Sequence, residues 1–292
     1  MKILLFGKHG QLGWELHRSL QGLGQVLAYD YPEVDFRAPS ALRRLVEDIK
    51  PQIVINAAAY TDVDKAESEA EKAKLVNTDA PGILAETCRD LGAAFIHYST
   101  DYVFDGQKGA PYAEDDLPHP LNVYGHTKLE GERAVLAAGG CNLIFRTAWV
   151  YSLRRNSFVT KVLRWAHSQA EMRIVDDQIS NPTWARALSE ITAQLLAQSS
   201  PDPLSWFAGR SGIYHLAGGG FCSRLDWAKG ILRNDPGRTQ QVVQSVVPAR
   251  SDDFCSAGAR PLFSALDCGR FERTFALYLP EWELALHLSM QT

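Results

Sequence analysis

Ile3-Leu4-Leu5-Phe6-Gly7-Lys8-His9-Gly10-Gln11-Leu12-Gly13-Trp14-Glu15-Leu16 is the stretch on which the fold turns. The apolar run 3–6 reads as a short buried strand, and Leu12, Leu16 and Leu20 have the spacing of an amphipathic helix. Three glycines, Gly7, Gly10 and Gly13, lie between and just inside these elements. Strand, glycine turn and helix in this order form the opening unit of a dinucleotide-binding domain. Free backbone N–H groups and the positive end of the helix dipole suit a pyrophosphate there. The spacing is G-x-x-G-x-x-G rather than G-x-G-x-x-G, and no Gly-Lys-Ser/Thr follows to make it a P-loop.

Outward from this unit the rhythm continues. Residues 25–29 read as a second strand ending at Asp30, 39–49 as a helix and 52–55 as a third strand. A long helical pattern over 70–90 precedes an apolar strand at 93–98. A loop rich in Pro, Gly and Asp spans about 100–122, a helix carries 124–138, and 142–146 gives another strand. Such alternation implies an α/β fold, a Rossmann-like doubly wound parallel sheet with helices on both faces. Beyond about residue 150 the alternation loosens, and Pro182, Pro201, Pro203, Gly218-Gly219-Gly220 and Pro248 punctuate short elements. The expected organisation is a Rossmann domain over 1–150 and a smaller mixed α/β substrate lobe over 151–292, with segments that can cross between them.

Bulk properties narrow the function. A net charge of −4 lacks the basic surplus of a nucleic-acid binder. No apolar run approaches a membrane span, and the start of the chain is too short for a secretory h-region. Cys88, Cys141, Cys222, Cys255 and Cys268 are scattered, odd in number and without C-x-x-C spacing, which fits reduced thiols in a cytoplasmic protein.

Asp30, at the end of the second strand, is placed to meet an adenosine ribose and to disfavour a 2′-phosphate, although nearby Arg37 could accept one. Asp35-Phe36 follow in the same loop. The small residues of Asn56-Ala57-Ala58-Ala59 leave room for a cofactor to cross the strand ends. The fourth strand runs into Tyr98-Ser99-Thr100-Asp101-Tyr102-Val103-Phe104, so a hydroxyl at Ser99 or Thr100 would face the crevice. Tyr124 and Lys128 share one helix face at i, i+4. A phenol ionises near pH 10, and a close ammonium lowers that value and can also hold the nicotinamide ribose. Tyr124 with Lys128, and a hydroxyl opposite, are the parts of a carbonyl reductase.

Taken together, the glycine turn, Ser99-Thr100-Asp101-Tyr102-Val103-Phe104-Asp105-Gly106 and Pro120-Leu121-Asn122-Val123-Tyr124-Gly125-x-x-Lys128 resemble the extended short-chain dehydrogenase/reductases. Within them the chain is most similar to the dTDP-4-dehydrorhamnose reductase family. Matches continue through 56–67, Arg146-Thr147-Ala148-Trp149-Val150-Tyr151, Asp177-Gln178, Pro182-Thr183 and Ala259-Arg260-Pro261, so the resemblance covers nearly the whole chain.

The resemblance implies NADPH- or NADH-dependent reduction of the C4 ketone of dTDP-4-dehydro-6-deoxy-L-mannose to dTDP-L-rhamnose. It implies Tyr124 as proton donor, Lys128 as its partner and Thr100 as the third catalytic group. Gly10, Gln11, Leu12, Asp30, Asp35, Phe36, Ala59, Tyr60, Thr61 and Tyr98 would line the cofactor, joined by Gly7 and Gly13 of the turn and by Tyr124 and Lys128. Thr100, Asp101 and Trp149 would touch the dTDP-sugar. Arg260, in an extended segment ahead of Pro261, is the candidate for its diphosphate; Phe263 nearby replaces the family's usual Asn. Relatives also suggest a homodimer and a supporting Mg²⁺, with no metal ligands identified. Two other functions compete. An epimerase or dehydratase needs a base for a carbon-bound proton, against which the S-T-D-Y-V-F match argues. A non-catalytic dinucleotide-binding regulatory subunit would have no need of Thr100, Tyr124 and Lys128.

Overall fold

Residues 1–291 are described in a computed structural model. The first half builds β1 (Lys2–Phe6), α1 (Gln11–Ser19), β2 (Gln25–Tyr29), α2 (Pro39–Ile49) and β3 (Ile53–Asn56). Short helices α3 (Val63–Ser68) and α4 (Ala70–Lys74) lead into α5 (Ala80–Leu91), followed by β4 (Ala94–Thr100), α6 (Val123–Ala138) and β5 (Asn142–Thr147). The six strands of the sheet are parallel, in the order Gly212–His215, β5, β4, β3, β1, β2.

Alternation along each strand sends side chains to two cores, which is why these strands read as unbroken apolar runs. Ile3, Leu5, Ile53, Ile55 and Ile96 meet Leu12 and Leu16 of α1 and Leu188, Leu195 and Leu196 of the helix Ala185–Gln198. Leu4, Phe6, Val54, Phe95 and Ile144 face Leu42 and Val46 of α2, Leu84 of α5 and Val135 of α6. The reversal of strand order at β1 and β3 leaves a crevice at the carboxyl ends of the strands.

Between α4 and α5 the chain makes a π turn, Leu75–Asp79, where the sequence pattern predicts one uninterrupted helix. The wider turn directs Asn77 inward. Its Oδ1 accepts the Tyr60 N–H (2.8 Å), while Nδ2 donates to the Tyr60 carbonyl (3.1 Å) and Thr127 Oγ1 (3.1 Å). One amide thus fixes the loop after β3 to the helix that carries Tyr124.

A second core gathers Tyr151, Val159, Val162, Met172, Ile174, Leu225, Trp227, Ile231, Trp282 and Leu286. Around it lie short ladders, such as Glu171–Val175 paired in parallel with Ser245–Ala249. The chain does not stay on this side after residue 150. Helix Ala185–Gln198 packs on α1, strand Gly212–His215 extends the main sheet beside β5, and Phe271 and Phe275 of helix Gly269–Phe275 complete the first core.

Candidate active site

A cleft of about 780 Å³ runs over the strand ends, lined by the glycine turn, the loop after β3, the end of β4, α6 and Trp149. Gly7 sits at φ +87°, in the left-handed region that glycine enters without strain, and a Cβ there would lie 2.7 Å from the Ala58 nitrogen. Gly13 is still tighter, because its Cβ would lie 1.9 Å from the Gly7 carbonyl oxygen. The turn therefore folds back on α1 only with glycine at both positions. Gly10 precedes α1 and no side chain caps that helix, so its first N–H groups point into the cleft. This bare cradle fits a dinucleotide pyrophosphate.

Gly7, Gly10, Gln11, Leu12, Asp30, Ala59, Thr61, Tyr98, Thr100, Asp101, Tyr124, Lys128 and Trp149 all line the cleft. Other expected residues face elsewhere. Gly13 packs beneath the turn. Phe36 is buried edge-on against Phe6 (5.4 Å), and Asp35 holds Arg37 through both carboxylate oxygens (2.6–3.0 Å). Arg37 is therefore already satisfied. Tyr60, outside the cleft lining, donates its hydroxyl to Glu69 (2.8 Å). Arg260 is clasped by Asp64 (2.8 and 2.9 Å) and by the Gly258 carbonyl, outside the cleft walls. Phe263, at the unusual position, packs on Phe221 (5.4 Å).

Asp30 does two jobs at once. Its carboxylate accepts the backbone N–H groups of His9 and Tyr31 (both 2.8 Å), tying the glycine turn to the end of β2, and it still faces the cleft.

At the other end, the strand parts the two hydroxyls of 99 and 100. Ser99 donates to buried Glu132 (2.5 Å), which forms a two-pronged ion pair with Arg146 (2.7 and 2.9 Å) beneath α6. Thr100 instead lines the cleft together with Tyr124. It donates to Asp101 Oδ1 (3.2 Å) and accepts the Tyr102 N–H (3.2 Å). Asp101 in turn receives hydroxyls from Ser264 (2.5 Å) and Ser180 (3.1 Å). Burial pushes its carboxyl up to about 6, against the pull of those three hydrogen bonds. Its Oδ1 holds Thr100, while its Oδ2 is held by the two serines.

The expected tuning of Tyr124 by Lys128 is not what the geometry gives. Lys128 Nζ donates to the Tyr98 carbonyl (2.6 Å) and lies 3.1 Å from His97 Nε2. Burial lowers the lysine to about 8, opposed by Glu132. Burial also raises the Tyr124 phenol above its ordinary value, with the Thr100 hydrogen bond opposing. At neutral pH the phenol is therefore a protonated acid, the form a reduction needs.

A model of the RmlD substrate binding domain family matches residues 1–292. The chain belongs to this family. The dTDP-4-dehydrorhamnose reductase of Burkholderia thailandensis is 44% identical, covering all of this chain and 98% of that protein. Among solved structures, the reductase of Clostridium acetobutylicum superposes with a TM-score of 0.91 at 33% identity, covering 100% and 99% of the two chains. That of Bacillus anthracis, solved in complex with NADP, gives 0.89 at 31% identity and full coverage of both.

In this member of the RmlD family a second cleft of about 530 Å³ continues from the first, sharing Gln11, Thr61, Trp149 and Val150. Trp149 has φ +40°, a left-handed value that costs a non-glycine residue roughly 1–2 kcal/mol. The turn lays its indole nearly parallel to Trp227 (5.4 Å) and under the Arg224 guanidinium (3.6 Å), which also reaches the Trp227 ring (5.3 Å). Lys161, Phe158, Trp165 and Gln178 line the same cleft. Among the described residues neither Arg224 nor Lys161 forms an ion pair; Arg173 does, with Asp253 (2.8 Å). Burial lowers Arg224 to about 10, which leaves it cationic. Sequence reasoning missed Arg224 and Lys161, because no motif surrounds either. Among the described residues no group of three or more His, Cys, Asp or Glu converges as a donor set.

Proposed function

We infer that the chain is an NAD(P)H-dependent dTDP-4-dehydrorhamnose reductase, reducing the C4 ketone of dTDP-4-dehydro-6-deoxy-L-mannose. The observation that carries this reading is that Thr100, Tyr124 and Lys128 line one glycine-cradled cleft, in a chain similar to such reductases along its whole length. Bound in that cleft, the dihydronicotinamide supplies a hydride. As negative charge builds on the C4 oxygen, the Tyr124 phenol gives up its proton to it, and Thr100, steadied by Asp101, fixes the phenol's direction. Lys128 anchors the floor beneath through Tyr98. The five unpaired cysteines suit a reducing cytoplasm. Oxidation of NADPH or NADH dependent on that 4-ketosugar nucleotide tests the reading directly. A protein that binds dinucleotide but never turns over would be the regulatory subunit instead.

In this reading the dTDP diphosphate lies in the second cleft, gripped by Arg224 rather than Arg260, because Arg260 is already neutralised by Asp64. Arg224→Ala should raise KM for the sugar nucleotide about tenfold or more, since a charge-assisted contact is worth roughly 1.5–3 kcal/mol. KM for NAD(P)H should hardly move. Arg260→Ala should leave both within about twofold. The reverse pattern would return the diphosphate to Arg260.

Asp30 faces the adenosine ribose in the same reading, and its charge opposes a 2′-phosphate. Asp30→Asn should shift the ratio of kcat/KM values toward NADPH. An unchanged ratio would mean that the carboxylate serves only the glycine turn.

A further inference from the structure

A dinucleotide brings a doubly charged diphosphate into the cleft, and the start of α1 meets it with backbone N–H groups alone. Most side-chain cations near the glycine turn are already paired. Lys8 is held by Glu33 (2.5 Å), Arg18 by Glu15 (3.1 Å) and Arg37 by Asp35 (2.6 Å). Lys128 donates to the Tyr98 carbonyl at the other end of the cleft. Asp30, also in the lining, adds a negative charge that opposes an incoming anion.

One cation is left. Arg155 lines the same cleft, is exposed, and forms no ion pair among the described residues. It belongs to the segment 152–157, which runs from Tyr151 into the helix Phe158–Ala166 and is fixed along its length. At the start, the Ser152 N–H donates to Gln11 Oε1 (2.7 Å), and Gln11 Nε2 donates to the Val150 carbonyl (3.3 Å). The Arg154 guanidinium then lies over Trp14, 3.4 Å from the ring centroid. At the far end, Ser157 caps the following helix and donates its hydroxyl to the Ser152 carbonyl (3.2 Å), while Thr160 Oγ1 donates to the Arg155 carbonyl (3.3 Å).

Gln11 and Trp14 both belong to the first turn of α1, the turn whose free N–H groups open into the cleft. The backbone at Arg155 is thus tethered beside that cradle, and its side chain enters the cleft with no carboxylate to neutralise it. A solvated loop arginine would need none of these tethers.

We propose that Arg155 is a further cofactor-binding residue, whose guanidinium grips the dinucleotide diphosphate and completes the N–H cradle of α1. This rests on the dinucleotide-binding part of the reading above, not on the reduction itself. A guanidinium presents a flat fork of N–H donors that matches two phosphate oxygens, and it stays charged throughout the working pH range. The diphosphate is common to NADH and NADPH, so this contact strengthens both alike and leaves the choice between them to Asp30.

Fluorescence titration with NADH and with NADPH, in the absence of sugar nucleotide, tests the assignment without turnover. Arg155→Ala should raise Kd about tenfold for both cofactors at low salt. The difference from wild type should shrink as ionic strength rises, because exposed charges are screened. Arg155→Lys keeps the charge but loses the fork, and should recover part of the affinity. Unchanged Kd values in Arg155→Ala overturn the proposal and leave the reductase reading standing. Wild-type protein that binds neither cofactor removes that reading, and the proposal with it. A loss confined to NADPH would assign the arginine to the 2′-phosphate. Unchanged cofactor binding with a raised KM for the sugar nucleotide would assign it to the other diphosphate. Either result overturns the contact proposed here. Loss of affinity accompanied by a lowered Tm that Arg155→Lys does not restore would make the residue structural.

Discussion

Tyr124→Phe will keep its affinity for NAD(P)H and lose turnover by a factor of about 10²–10⁴, the usual worth of a positioned general acid. The ring is half-buried on α6 and meets Tyr102 edge-on at 5.8 Å, so removing one oxygen leaves the helix and the cleft in shape. The loss falls on the proton that must reach the C4 oxygen, and no neighbour can replace it. Thr100 directs its hydrogen to Asp101, and Lys128 is occupied at Tyr98. Stopped-flow hydride transfer and cofactor titration separate the two effects. A variant retaining more than about a tenth of the wild-type kcat would remove Tyr124 from the chemistry.

Gly13→Ala will do as much damage from beneath the site. The added Cβ would sit 1.9 Å from the Gly7 carbonyl oxygen and 2.6 Å from its carbon, both backbone atoms that cannot swing aside. Either the turn lifts from α1 or the helix start unwinds, and both remove the N–H cradle. We expect about 3 kcal/mol or more of lost stability, together with dinucleotide affinity lowered about a hundredfold. Gly10→Ala is the control, because its Cβ would meet the same carbonyl at 3.2 Å, close enough to need only a small adjustment. Thermal melts and cofactor titrations that rank the two variants equally would contradict the steric account.

How much of this was readable in advance follows from the range of the forces involved. The unit from Ile3 to Leu16 is legible because strand, turn and helix are adjacent in sequence and each has its own signature of periodicity and glycine placement. Tyr124 and Lys128 are legible because a helix brings i and i+4 together unaided. Their partners are not. Lys128 finds His97 and the Tyr98 carbonyl rather than the Tyr124 phenol, a choice made by how α6 lies across β4. Arg260 looks available until Asp64, far earlier in the chain, is folded against it. Arg224 opens an ordinary helix after Ser223, and only the left-handed turn at Trp149 brings an indole beneath its guanidinium. The π turn at Leu75–Asp79 was hidden because apolar spacing cannot distinguish a slightly widened helical turn from a regular one.

The return of the chain to its first layer has a consequence for synthesis. β5 gains its outer neighbour only when Gly212–His215 has left the ribosome, and Tyr214 of that strand packs against the still later Phe271 and Phe275. Until then the nascent N-terminal half carries a bare hydrophobic border at Leu143, Ile144 and Phe145, the kind of open edge to which another chain can add. The unit that opens with the glycine turn is therefore not finished until translation is nearly over. Truncation at residue 150 would therefore yield a sticky intermediate in place of a free-standing nucleotide-binding module.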